Sequence, residues 1–325
     1  MLPRFCFTLD TEPDDLWGEA SRLTFDHFEG LPRFHETMVS VGARPTYLTT
    51  SEVVEDPRGL AAIMACLEHG SCEIGAHYHT WTREWPFETP HLGSPPVKAM
   101  AHQLGSDIEQ QMLRYTCAAI QHATGLVPMS YRGGRWSLGP GSVGALAACG
   151  VTVDSTVTPG ISWRRSSAGP LLDGPDFTRA PRVPYYLATG QDVTTARAAG
   201  EVLEIPVGTA WTPALSRAAS GWGLGRRILK KVSAMLPVGY TWLRPLEQTP
   251  GQLAACLRQL RRDGAPVWVA MIHSSEIGRC RRLPKQEDVD GLVRRCTGMT
   301  EMAISLGAVG STLQQAAQCV SPQPN

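Results

Sequence analysis

Short apolar runs alternate with longer amphipathic stretches along the whole chain. Arg4 to Leu9 has the composition of a buried strand and ends in a cluster of acids. Residues 24 to 41 carry helical spacing and precede a strand at Pro45 to Thr49. A helix at Leu60 to His69 leads to a strand at Cys72 to His79. Asp107 to Thr124 repeats its apolar positions every 3.6 residues, which predicts a long helix. Pro128 to Tyr131 reads as a strand, and Ser142 to Cys149 as a helix closed by Gly150. Strands at Val151 to Asp154 and Val202 to Pro206 follow. Gln252 to Arg262 is a further helix, and the run V-W-V-A-M-I at 267 to 272 is a buried strand. Helices at Asp288 to Ala303 and about Thr312 to Gln318 complete the pattern.

Strand and helix in alternation imply parallel strands joined by crossover helices, here about seven of each. One α/β domain over residues 1–320 is expected, with loop insertions near 160–186 and 215–249 and a disordered tail at 321–325. In a parallel barrel, chemistry gathers at the C-terminal ends of the strands. The polar residues of this chain fall there. Asp10 and Glu12 follow the first strand, and His77 and His79 end the third. Arg132 and Arg135 follow the fourth, Asp154 ends the fifth, and His273 ends the last.

Composition narrows the function. Thirty basic and 30 acidic residues cancel, which argues against nucleic acid as a partner. A hydrophobic fraction of 42% supports a folded core. Nine cysteines without a C-x-x-C pair suggest reduced, buried thiols, with Cys66, Cys117, Cys149 and Cys256 inside helical patterns. The opening M-L-P-R-F-C-F-T-L-D lacks the pattern of a secretory leader, and no apolar run reaches spanning length. A cytoplasmic setting is therefore expected.

The candidate chemistry lies in four short segments. F-T-L-D-T-E-P-D-D at 7–15 places Asp10 and Glu12 on one side of an extended chain. Two such carboxylates can divide metal binding and base catalysis, although P-D-D is also ordinary turn chemistry. I-G-A-H-Y-H-T-W at 74–81 likewise aligns His77 and His79, a plausible chelate. Two histidines and one carboxylate leave a coordination position open, as catalytic sites do. In Y-R-G-G-R-W-S at 131–137 the glycines allow close approach, an arginine can orient a carboxylate, and Trp136 can stack on a sugar face. M-I-H-S-S-E at 271–276 puts His273 where a general acid could sit, or a core histidine. Ser274 lacks a G-x-S-x-G elbow, so a serine hydrolase is disfavoured.

Taken in order, D-x-E, E-I-G-A-H-x-H-x-W, Y-R-G-G-R-W, a D-S strand end, L-E-I-P and I-H-S resemble the polysaccharide deacetylases of the NodB type, the carbohydrate esterase family 4 group. The resemblance spans about residues 4 to 275 and is nearest to divergent members from O-antigen and capsule gene clusters. It implies a distorted (β/α)7 barrel and a divalent metal, commonly zinc, that assists removal of an N-acetyl or N-formyl group from a sugar. It makes Asp10 the catalytic base and His273 the general acid. Glu12, His77 and His79 become the metal ligands. Arg132 orients the base, Asp154 tunes His273, and Trp81, Arg135 and Trp136 join the substrate-binding or orienting residues.

Two departures stand out. The paired acids are D-T-E here, so Asp14 or Asp15 competes with Glu12 as ligand, and the residue four after His77 is Trp81 instead of a second histidine. An inactive carbohydrate-binding protein on the same scaffold is the alternative reading. The expected partner is an N-acylated sugar, on a nucleotide or a lipid-linked glycan. Residues 224–236, with Arg226, Arg227, Lys230 and Lys231 over an apolar stripe, form either a helix packed on the barrel or a peripheral contact with anionic membrane.

Overall fold

The computed structural model describes residues 2–16, 23–90, 97–164, 170–212, 239–280 and 282–320. Its chain order is β1 (Arg4–Thr11), α1 (Leu31–Ser40), β2 (Thr46–Thr49), α2 (Ser51–Glu55), α3 (Pro57–His69) and β3 (Glu73–Tyr78). Then come α4 (Ser106–Thr124), β4 (Ser130–Gly133), α5 (Pro140–Ala148), β5 (Val153–Asp154), β6 (Tyr185–Leu187) and β7 (Val202–Glu204). The remainder is β8 (Thr209–Thr212), β9 (Gly239–Trp242), α6 (Pro250–Arg262), β10 (Val267–His273), α7 (Gln286–Ser305), β11 (Val309–Gly310) and α8 (Leu313–Ala317).

The main sheet runs β10-β1-β2-β3-β4-β5-β7-β6, with β11 on β1. All neighbours along it are parallel except β6, which pairs antiparallel with β7 at the edge. The path curls back on itself. Just beyond β7, Val207 makes a parallel bridge to Val269 of β10. The architecture is thus the expected α/β distorted barrel, with backbone bonds from Gly208 to Val269 and from Met271 to Leu243 joining its two ends.

Strand parity sorts the side chains. Phe5, Phe7 and Leu9 pack outward in the large core shared with the helices, as do Trp268, Ala270 and Ile272 of β10. Cys6, Leu48, Val153, Leu203, Val267 and Val269 fill the interior, where Leu313 and Ala316 of α8 also pack. The interior therefore changes character along β1, from apolar Cys6 through Thr8 to Asp10. It changes similarly along β10, from Val267 to His273.

Three helices, α3, α6 and α8, begin at a capping side chain. Asp56 caps α3 by accepting from the backbone N–H groups of Arg58 and Gly59, with Pro57 at its first turn. The amphipathic stretch 24–41 is two elements, a 3-10 turn at Asp26–Gly30 and then α1. Pro32 in the first turn of α1 cannot donate to the preceding turn, so the α-helix begins there. The small antiparallel pair of β8 and β9 was not foreseen. The proposed insertions lie partly within residues 165–169 and 213–238, outside the described residues, as do segment 224–236 and tail 321–325. Among the described residues no helix is long and apolar enough to cross a membrane.

Candidate active site

Strand ends β1, β3, β4 and β10 bring their polar residues to one cavity of about 220 Å³. Asp10, Glu12, His77, His79, Arg135, Trp136 and His273 all line it. Parity is the cause. Asp10 pairs in register with His273 across β1–β10, and His77 with Arg132 across β3–β4, all on the inward face.

Three atoms converge within it. Glu12 Oε2 lies 2.8 Å from His79 Nε2 and 3.2 Å from His77 Nε2, and the two nitrogens are 3.2 Å apart. Asp14 and Asp15 do not join them: Asp14 pairs its backbone with Thr24 and its carboxylate accepts from the Asp15 N–H. Glu12, His77 and His79 are the one group among the described residues with metal-ligand geometry. Donor chemistry fits a divalent ion. The Nδ1 of His77 donates to the Arg132 carbonyl at 2.7 Å, which leaves the Nε2 lone pair facing the other two atoms. His79 is less supported, because its Nδ1 is buried without a hydrogen-bond partner. Trp81 packs on the His79 ring at 4.6 Å and donates its indole N–H to the Leu16 carbonyl, so it backs His79 and does not line the cavity.

The glycines of 131–137 earn their place by contact. A Cβ on Gly134 would sit 2.3 Å from the Tyr78 carbonyl and 2.7 Å from His79 Nδ1. Arg135 and Trp136 then follow with positive φ of 57° and 61°, a costly backbone for such side chains that turns both into the cavity wall. Trp136 stacks on Trp163 at 5.8 Å and meets Trp242 at 6.0 Å. Arg135 donates to the Lys98 carbonyl.

Asp10 and Arg132 form a buried ion pair at 2.7 Å. The guanidinium is fixed by further bonds to Thr8 Oγ1, Ser155 Oγ and the Ser155 carbonyl. Burial alone would raise the Asp10 pKa, but Arg132, then His77 and His273, outweigh it and hold the carboxyl below its ordinary range.

His273 stands opposite, with Nε2 3.9 Å from Asp10 Oδ2 and 3.8 Å from Glu12 Oε1 and its side chain 30% exposed. Its Nδ1 lies between Arg244 Nη2 at 2.7 Å and Glu276 Oε1 at 3.2 Å. The neutral ring with its proton on Nε2 accepts from Arg244, and the charged ring donates to Glu276. Burial and Arg244 lower the His273 pKa, but Glu12 and Glu276 raise it above the ordinary value on balance.

Asp154 does not reach His273. Its register partners Tyr131 and Glu204 share its face, while Val153 and Leu203 take the interior. Asp154 therefore points to the helical layer, where it accepts from Thr156 at 2.6 Å and lies against the Glu204 carboxyl group. The carboxylate within reach of His273 Nδ1 is Glu276, at 3.2 Å. Arg244 and Glu276 carried no signal in the sequence beyond Glu276 lying three residues past His273.

A protein of Mycobacterium smegmatis, assigned by its name to the polysaccharide deacetylases, is similar over 100% of this chain and 97% of its own, with a TM-score of 0.54 and 18% identity. The 4-alpha-glucanotransferase of Thermococcus litoralis gives a TM-score of 0.54 at 12% identity, over 99% of this chain and 41% of its own. A family 4 carbohydrate esterase of Streptomyces lividans, solved with acetate, gives 0.45 at 11% identity, over 95% of this chain and 92% of its own. No protein-family model and no curated protein matches the sequence. The fold is that of the deacetylase barrels. It is not tied to one chemistry, so function has to be argued from the site.

Proposed function

We propose that the protein is a metal-dependent hydrolase that removes an N-acetyl or N-formyl group from a sugar. The observation that supports this is the convergence of a Glu-His-His donor set, an arginine-held aspartate and a strand-end histidine on one cavity. A divalent ion at Glu12, His77 and His79, zinc being the expected one, would supply Lewis acidity toward the acyl carbonyl.

The chain's own groups supply the proton transfers. Asp10, kept ionised by Arg132, accepts a proton as water attacks the acyl carbon. The C–O bond forms, and the C–N bond then breaks. His273 gives the departing nitrogen its proton, without which an amine leaves poorly. Glu276 and Arg244 hold the imidazole in place from its Nδ1 side. The wall of Trp136, Trp163 and Trp242 offers apolar faces to a sugar ring.

The substrate we infer is a nucleotide-linked or lipid-linked sugar in surface polysaccharide or O-antigen assembly, handled in the cytoplasm or at the inner membrane face. A binding-only protein on the same barrel is the second reading, favoured by the unpartnered Nδ1 of His79. Metal content of the purified protein, followed by acetate or formate release from N-acylated sugars of both carrier types, separates the two. Bound metal with acyl release supports the hydrolase. Metal-loaded protein that releases neither acid overturns it.

A further inference from the structure

β1 ends at Thr11, so Glu12 hangs from the first residue past the strand. A ligand carried there needs something other than the ladder to fix its backbone. Ser274, the first residue after β10, supplies it. Its Oγ accepts from the Glu12 N–H at 3.0 Å and donates to the Glu12 carbonyl at 2.9 Å. A hydroxyl has one proton. With that proton given to the Glu12 carbonyl, His27 Nε2, 3.2 Å from the same oxygen, must be the donor in their bond.

We propose that His27 and Ser274 form a positioning clamp that sets the Glu12 carboxylate and so fixes the affinity of the Glu12–His77–His79 site for a divalent ion. The clamp rests on the metal-centre reading above. It joins three places distant in sequence: the end of β1, the end of β10 and the 3-10 turn before α1. All three residues are buried, Ser274 at 0%, His27 at 6% and Glu12 at 6% exposure. His27 is itself held by packing. Its ring lies 4.2 Å from that of Phe28, and a Cβ on Gly278 would come within 2.8 Å of the His27 Cβ. Ser274 meets Glu12 through the backbone alone, so the clamp acts through Glu12 and does not touch the reacting atoms.

The test is Zn²⁺ affinity by competition with a chromophoric chelator, together with the ligand-field absorption of the Co²⁺-loaded protein. Ser274→Ala should weaken Zn²⁺ binding about 10- to 100-fold, the usual loss when a partner of a metal ligand is removed, and should alter the Co²⁺ spectrum. His27→Leu should move both in the same direction by less. Glu12→Ala should abolish binding. Wild-type binding with an unchanged affinity and spectrum in folded Ser274→Ala overturns the clamp and leaves the metal centre standing. If Ser274→Ala does not fold, wild-type affinity and spectrum in His27→Leu overturn it instead. Absence of Zn²⁺ binding in the wild type overturns both the clamp and the metal reading.

Discussion

Asp10 and Asp154 are both buried aspartates on strands of one sheet, yet they are opposites. Asp10 faces the interior, meets Arg132 at 2.7 Å and is held below the ordinary carboxylate range. Asp154 faces the helical layer and meets another carboxyl group, Glu204. Burial and that neighbour push Glu204 well above its ordinary range, and burial raises Asp154. Burial is common to both, so it does not by itself decide whether a carboxyl group stays ionised. The counter-ion and access to a cavity set Asp10 apart.

Asp10→Asn should test the contrast most severely. It keeps the shape and removes the base, so acyl release should fall about 100- to 10,000-fold. Metal content by elemental analysis should stay at the wild-type level, because Asp10 is outside the donor set. Retained turnover would break the base assignment.

Arg132→Met comes next. It leaves Asp10 buried without its cation, which should destabilise the fold by about 3–5 kcal/mol in denaturant titration. A double variant with Asp10→Asn should recover part of that loss. Additive losses would mean the pair is not coupled.

Glu109 extends the comparison to a third buried acid. It sits on α4 against Ser142, and burial first, then Asp154, push it up to about 7. A carboxyl group raised on folding contributes stability in full below its ordinary pKa and loses it as pH rises toward 7. The loss is about 3 kcal/mol at 1.36 kcal/mol for each pH unit. Glu109→Gln should remove this slope, so its stability relative to wild type should improve from pH 4 to pH 8. Parallel stability curves would show that Glu109 does not titrate there.

The smallest effect is expected at Asp154. Asp154→Asn should leave turnover within the same order of magnitude, since no bond links it to His273, whereas Glu276→Gln should lower it. The reverse ranking, read from acyl release, would restore Asp154 as the histidine's partner.

Segment 224–236 lies outside the described residues. Flotation with anionic vesicles tests whether it contacts a membrane. Absence of binding would remove that idea.

Much of the barrel was legible because burial imposes short periods on the sequence. The apolar runs at Arg4–Thr11 and Val267–His273 foretold two strands buried on both faces. A spacing of two placed Asp10 with Glu12 and His77 with His79 on common faces, as local geometry requires. The glycines before Arg135 foretold a close approach, now seen between Gly134 and His79. Tertiary structure decided the rest. Two-residue β5 is too short to show its parity, so the face of Asp154 followed only from its register with Tyr131 and Glu204. That Glu12, and not Asp14 or Asp15, lies against His77 and His79 depends on the sheet bringing the ends of β1 and β3 together across β2. Arg244 reaches His273 across 29 residues and Ser274 reaches Glu12 across 262. Local periodicity fixes the direction in which a side chain points, but its neighbour is fixed by the register and curl of the sheet, which arise only when distant strands pair.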